Sequence, residues 1–257
     1  MDLNGWVRKE WPIFLLAVQF LTRLPVVVDY TPERLAATPR WYAAVGVLVG
    51  AMVAVIWWGS ALFLPPVVAV MISLAASLLI TGALHEDGFA DACDGLGGGQ
   101  TRERALEIMR DSRLGAYGVL GLGVMIGTKV AALAALPGFV VPLALVAGHA
   151  ASRASAVWVM VSSGYVRGQG AGRAVADGVD AGTVAVTGWT LAAVAVVWLV
   201  WLPIVPLLAG ALGLVAGHYA IRRRFEVRLG GYSGDCLGAV QQCSEIGFLI
   251  GVLAVMQ

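Results

Sequence analysis

Seven stretches of this chain, 41–63, 66–85, 115–136, 139–161, 182–204, 207–222 and 237–256, are apolar over most of their length. About 20 such residues are what a helix needs to cross the hydrocarbon of a bilayer. Composition agrees: 59% of the 257 residues are hydrophobic and 13% charged, against about 45–50% and about 25% in a soluble domain. Soluble globular, disordered and fibrous folds are thereby excluded. The chain is expected to be an all-α integral membrane protein with about seven transmembrane helices and one domain over 1–257. A further apolar run, Trp11 to Phe20, follows Arg8 and Lys9 in the manner of a signal peptide. No small-residue cleavage site comes after it; Leu21-Thr22-Arg23-Leu24-Pro25 does. The run is therefore expected to stay, as an interfacial helix within an N-terminal segment 1–40.

Charge is distributed very unevenly between the connections. Leu64-Pro65-Pro66, Leu136-Pro137-Gly138 and the turn from Leu202 and Pro203 to Pro206 are short and uncharged. The alternate connections hold nearly all the arginines: Arg34 and Arg40; Arg102, Arg104, Arg110 and Arg113; Arg167 and Arg173; Arg222, Arg223, Arg224 and Arg228. Basic loops stay on the cytoplasmic side, so the long loops are expected in the cytosol. A formal charge of +1 points to no nucleic-acid partner. Cys93, Cys236 and Cys243 are odd in number and read as reduced thiols. The 33 glycines suit close helix packing in lipid, and a homo-oligomer is compatible with such a chain. No internal repeat is evident.

Polar groups concentrate in loops 86–114, 164–181 and 223–236. In the first, Asp87, Asp91 and Asp94 lie at i, i+4 and i+7, so a helix there would place three carboxylates on one face. Gly97-Gly98-Gly99 then permits a reversal, and Thr101 can cap a second helix carrying Glu103, Glu107 and Asp111. The plain alternative is a solvated loop with Glu107 paired to Arg104 or Arg110. For the first helix that alternative is weak, because no lysine or arginine stands among the aspartates. Stacked like charges repel by roughly 0.2–0.5 kcal/mol per pair, and a divalent cation removes that repulsion. All-oxygen ligands favour Mg²⁺ or Mn²⁺ over Zn²⁺, and Mg²⁺ usually shares its shell with substrate phosphates. The loop thus suggests a phosphate- or diphosphate-bearing substrate.

Several other polar residues are weighed in the same way. His149 and Arg153 share a face inside an apolar span, either as a contact for a substrate anion or with Arg153 snorkelling to the surface. Lys129, alone in its span, reads as structural, and Glu245 as a partner for Lys129 or Arg153. Arg222, Arg223 and Arg224 read first as a positive-inside anchor, with anionic lipid or substrate phosphate as the alternative. In Gly230-Gly231-Tyr232-Ser233-Gly234-Asp235, flexible backbone donors beside a carboxylate suit phosphate and metal together.

The run from His85 through Glu86, Asp87, Gly88, Phe89, Ala90, Asp91, Ala92, Cys93 and Asp94 to Gly95 closely resembles the signature of the cobalamin-5′-phosphate synthase family. So does Glu107-Ile108-Met109-Arg110-Asp111-Ser112-Arg113-Leu114-Gly115-Ala116-Tyr117-Gly118, and the block Gly230 to Ala239 is similar to its glycine-rich C-terminal motif. Phe20-Leu21-Thr22-Arg23-Leu24-Pro25 also looks like its N-terminal segment. The resemblance implies a Mg²⁺-dependent multi-pass transferase in a bacterial cytoplasmic membrane, its site facing the cytosol. It would join adenosylcobinamide-GDP to α-ribazole or its 5′-phosphate and release GMP. Carried onto this chain, metal falls to Glu86, Asp87, Asp91, Asp94 and Asp235. Asp111, Arg110 and Arg113 become the catalytic candidates and Gly230, Gly231, Ser233 and Gly234 the substrate-binding ones, joined by His149 and Arg153 on the strength of their place inside an apolar span. The rival readings fit less well. A CDP-alcohol phosphotransferase needs Asp-Gly-x-x-Ala-Arg where Ala90 is followed here by Asp91; a prenyltransferase needs a second aspartate cluster, for which only Asp177 and Asp180 offer; a transporter needs its charges near the midplane.

Overall fold

A computed structural model describes residues 3–168 and 171–256. The apolar runs form helices because a chain in lipid must satisfy its backbone amides and carbonyls internally. In chain order the helices are α1 (Leu3–Leu21), α2 (Pro32–Ala37), α3 (Tyr42–Ala61), α4 (Pro66–Thr81), α5 (Leu84–Gly98) and α6 (Arg102–Ile108). They continue with α7 (Ala116–Ala135), α8 (Val141–Ser162), α9 (Ala171–Asp177), α10 (Ala181–Trp201), α11 (Ile204–Leu229) and α12 (Gly234–Ala254). The described residues contain no β-strand beyond one isolated bridge between Tyr165 and Tyr232. Six helices are long and apolar enough to cross a membrane: α3 with the short α2 leading into it, α7, α8, α10, α11 and α12. A seventh crossing arises if α4 is counted with α5, a pair bent by 90°. The seven expected stretches thus map one to one onto helices, and α1 is not among the candidate spans.

Three boundaries differ from the sequence expectation, each for a local reason. The second span does not run on into the acidic segment. Gly82 (φ 65°) and Ala83 (φ 55°) both take the left-handed conformation, which ends α4 and turns α5 aside. The arginine-rich segment after residue 222 is not loop, since α11 continues to Leu229 and only 230–233 separates it from α12; arginine is a good helix former. The second acidic helix stops at Ile108, so Asp111 lies in the turn beyond α6 and not on one face with Glu103 and Glu107.

Glycine sets the tightest packing. A Cβ on Gly46 or Gly50 of α3 would strike the α8 backbone at His149–Ala150 and Leu145–Val146. On α11, Gly213 and Gly217 meet the α12 backbone at Gly247 and Cys243 just as closely. Small residues at such crossings let helices approach in lipid, where no hydrophobic force drives them together. α12 touches α5, α7, α8 and α11, which makes it the inner helix around which the others stand. The three cysteines are free thiols.

Candidate active site

The site is assembled where α5 crosses the start of α12. Both helices lack a side chain at the crossing: a Cβ on Gly88 would lie 3.1 Å from the Cα of Asp235, and one on Gly238 2.8 Å from the carbonyl oxygen of His85. This close approach brings Asp87 on α5 beside Asp235 on the first turn of α12. Ser233 caps α12, its Oγ accepting from the Cys236 amide. The preceding turn is pinned by Tyr232 N to Gly164 O and Val166 N to Tyr232 O, each 2.9 Å. Gly230 (φ 73°) closes α11, and a Cβ on Gly231 would collide with the Gly164 carbonyl. The glycines of this turn therefore let the chain pass, and Arg167, carried on the pinned segment, pairs with Asp235.

Asp87 and Asp235 line a cavity of about 210 Å³ together with Arg153, His85, Tyr42 and Tyr165. Arg153 is 2% exposed, so it does not snorkel. One of its terminal nitrogens donates to the His149 carbonyl at 3.0 Å and to His149 Nδ1 at 3.1 Å, while its Nε has no partner. A buried, unused guanidinium donor is costly unless something accepts from it. Behind Arg153 a polar chain runs through the apolar core. Lys129 Nζ lies 3.0 Å from Glu245, Gln241 donates to Glu245 (2.7 Å) and to Ser152 (2.8 Å), and Gln242 donates to Glu86 (2.9 Å).

The expected metal residues occupy different surroundings. Asp87 faces the cavity. Asp91, one turn on, is partly buried; burial, then Asp87, Asp235 and Asp94, push its carboxyl up to about 6. Asp94 is buried and accepts the Gly115 and Gly118 amides at 2.8 and 2.9 Å, which caps α7. Glu86 turns towards α12, with one oxygen on Gln242 and the other, buried, unpartnered. Among the described residues no three His, Cys, Asp or Glu side chains already form a metal-ready group. Asp111 is clasped by Arg113, whose hydrogen bonds hold its carboxyl down to about 2, and Arg110 is exposed but near enough to act electrostatically on Tyr165. Glu107 pairs outward with Arg104 at 2.7 Å. Sequence reasoning passed over Arg167 as a site residue, because only the fold brings it to Asp235; the partners of Gln241 and Gln242, Ser152 and Glu86, are likewise distant in sequence.

Residues 13–253 match the cobalamin-5-phosphate synthase family. The chain belongs to that family. Its relatives include proteins named adenosylcobinamide-GDP ribazoletransferase from Leptothrix cholodnii (44% identical, covering 95% of this chain and 96% of the relative), Ralstonia pickettii (38%, 97% and 98%) and Vibrio parahaemolyticus (37%, 98% and 95%). No solved structure matches. As a cobalamin-5-phosphate synthase family member the chain is a transferase of cobalamin biosynthesis, built as a multi-pass membrane protein.

Proposed function

We propose that the cavity between α5, α8 and α12 transfers the cobinamide phosphate group of adenosylcobinamide-GDP to a hydroxyl of α-ribazole or its 5′-phosphate, releasing GMP. The observation that carries this reading is the buried Arg153, its Nε unused, facing one cavity with Asp87 and Asp235. An anion is what such a cation accepts, and a cation is what Asp87 accepts beside Asp235, which already pairs with Arg167; a metal-bound diphosphate supplies both. The names of the relatives support the same substrates.

Mg²⁺ fits the residues present. The donors Asp87, Asp91 and Asp235 are all oxygen, and burial first and their mutual repulsion second raise Asp91. Mg²⁺ commonly takes only one or two carboxylates and completes its shell with water and phosphate, so a preformed three-residue cluster is not required. When bound it would neutralise the diphosphate and steady the entering and leaving oxygens. The protein's own share is positioning and charge. Arg153 would hold a phosphate oxygen from below, His149 keeps the Arg153 guanidinium in place, and Arg110 is available near Tyr165 for charge developing on GMP. Asp111, held ionised by Arg113, is a feeble proton acceptor for the attacking hydroxyl. The arginine-rich loops support a cytosolic site in the bacterial inner membrane.

The test is GMP release by the purified protein in detergent with adenosylcobinamide-GDP and α-ribazole, across pH and Mg²⁺ concentration. Turnover is expected to need Mg²⁺. Its apparent Mg²⁺ affinity should fall as pH drops through about 6, because a raised carboxyl takes up its proton there and ceases to be a ligand. Absence of GMP release with both substrates present overturns the reading.

A further inference from the structure

Besides the catalytic cavity, the structure has a larger groove, about 870 Å³, at the same end of the bundle. Its walls are the start of α7, the end of α11 and the back of α5. Arg223, Arg224 and Arg228 of α11 line it with Tyr117 and Tyr219. Its α5 side is formed by Ala92, Cys93, Leu96 and Gly97. Ala92 and Leu96 each follow an aspartate, Asp87 or Asp91, by five residues, which at 3.6 residues per turn places them about 140° round the helix from it. The groove therefore lies behind the acidic face and opens away from Asp87 and Asp91.

The groove combines two properties. Its upper part is cationic without internal compensation: Arg223 and Arg224 make no hydrogen bond or ion pair among the described residues, and Arg228 donates only to the Gln100 carbonyl. Arg222 differs, since it is committed to Glu226 and the Ser162 carbonyl and reads as a tie between helices. Arg223, Arg224 and Arg228 are all exposed, so their charge is open to an anion from outside the bundle. The second property is apolar continuation. Below the arginines, α7 exposes Leu120 and Val124 and α11 exposes Leu212. Tyr117 and Tyr219, each more than half exposed, stand at the change from charge to hydrocarbon, where amphipathic rings collect in membrane proteins.

We propose that this groove binds an anionic phospholipid, with the headgroup phosphate on Arg223, Arg224 and Arg228 and the acyl chains between α7 and α11. A free phosphate would use the arginines alone and leave the apolar half empty; a zwitterionic lipid would use the apolar half and bring no net charge to the arginines. Because the groove's inner wall is the back of α5, such a lipid sits directly behind the helix that carries Asp87 and Asp91, and would brace that helix from the membrane side.

Native mass spectrometry of the full chain tests this, with phosphatidylglycerol, phosphatidylcholine and inorganic phosphate as separate additions. Phosphatidylglycerol should be retained in preference to phosphatidylcholine, and excess phosphate should not displace it. Arg223→Gln with Arg224→Gln should lower retention roughly tenfold or more, as expected for two basic groups near an anionic headgroup, while Arg223→Lys with Arg224→Lys should keep most of it. Ala220→Trp, which fills the groove without changing charge, should also lower retention. Equal retention of the two lipids by the unmodified chain overturns the proposal whatever the variants do. So does displacement by phosphate, which would make it a free-anion site, or unchanged retention in a folded glutamine double variant.

Discussion

Arg153 is the residue on which the proposed chemistry and the fold meet. It sits within an apolar span, yet it is shielded from lipid and from bulk water, and its one internal commitment is to His149. Charged hydrogen bonds are worth about 1.5–3 kcal/mol, and a lysine keeps the charge but loses the planar fork. Arg153→Lys is therefore expected to insert and fold but to raise KM for the GDP-linked substrate by roughly tenfold or more, on the same scale of about 1.5–3 kcal/mol. Arg153→Met should lower turnover further while remaining inserted. Steady-state kinetics beside a membrane-fraction blot separate these outcomes; KM and kcat unchanged in both variants would reduce Arg153 to a packing residue. The i, i+4 spacing with His149 was readable in the sequence. The burial that removes the snorkelling alternative was not, because it depends on α12 and on the α3 glycines that press onto α8.

At the scale of helices, α5 shows why one row of aspartates holds unlike residues. Asp87 and Asp91 are left facing the cavity side, whereas Asp94 accepts two amides from the first turn of α7. A lost N-cap typically costs about 0.5–2 kcal/mol. Asp94→Ala is thus expected to lower the melting temperature in detergent clearly more than Asp87→Asn does. Asp87→Asn in turn should weaken Mg²⁺ binding the more, read by titration of the purified protein. The reverse ranking would move Asp94 back into the metal shell. Helical periodicity made the shared face legible, but Gly115 and Gly118 lie 21 and 24 residues downstream and nothing local announces the cap. The same holds for Glu86, whose partner Gln242 is 156 residues away. What could be read well were the spans, because each is set by its own apolar length; what could not were the bend at Gly82–Ala83 and the extension of α11, where a backbone conformation and a helix-forming run of arginines override the hydropathy boundary.

For the whole molecule, the alternation of bare turns and basic connections gathers α5, α6, α9 and the 230–233 turn at one end. A cytosol-reporting fusion after Gly172 is expected to be active and one within the turn at Pro137 inactive; the opposite pair of results would turn the bundle over and place the cavity in the other compartment. The 90° bend between α4 and α5 has a consequence for how reactants of unequal size can meet there. Had the acidic helix continued straight, successive aspartates would sit at increasing distance from the bilayer, about 1.5 Å per residue, and a ligand spanning them would stand upright. With α4 upright in the bilayer, the crosswise α5 would keep Asp87 and Asp91 at nearly one depth. A pyrophosphate resting along it would lie flat against the surface, free to leave a bulky macrocycle spread over the lipid headgroups at one end and a nucleoside in the water at the other.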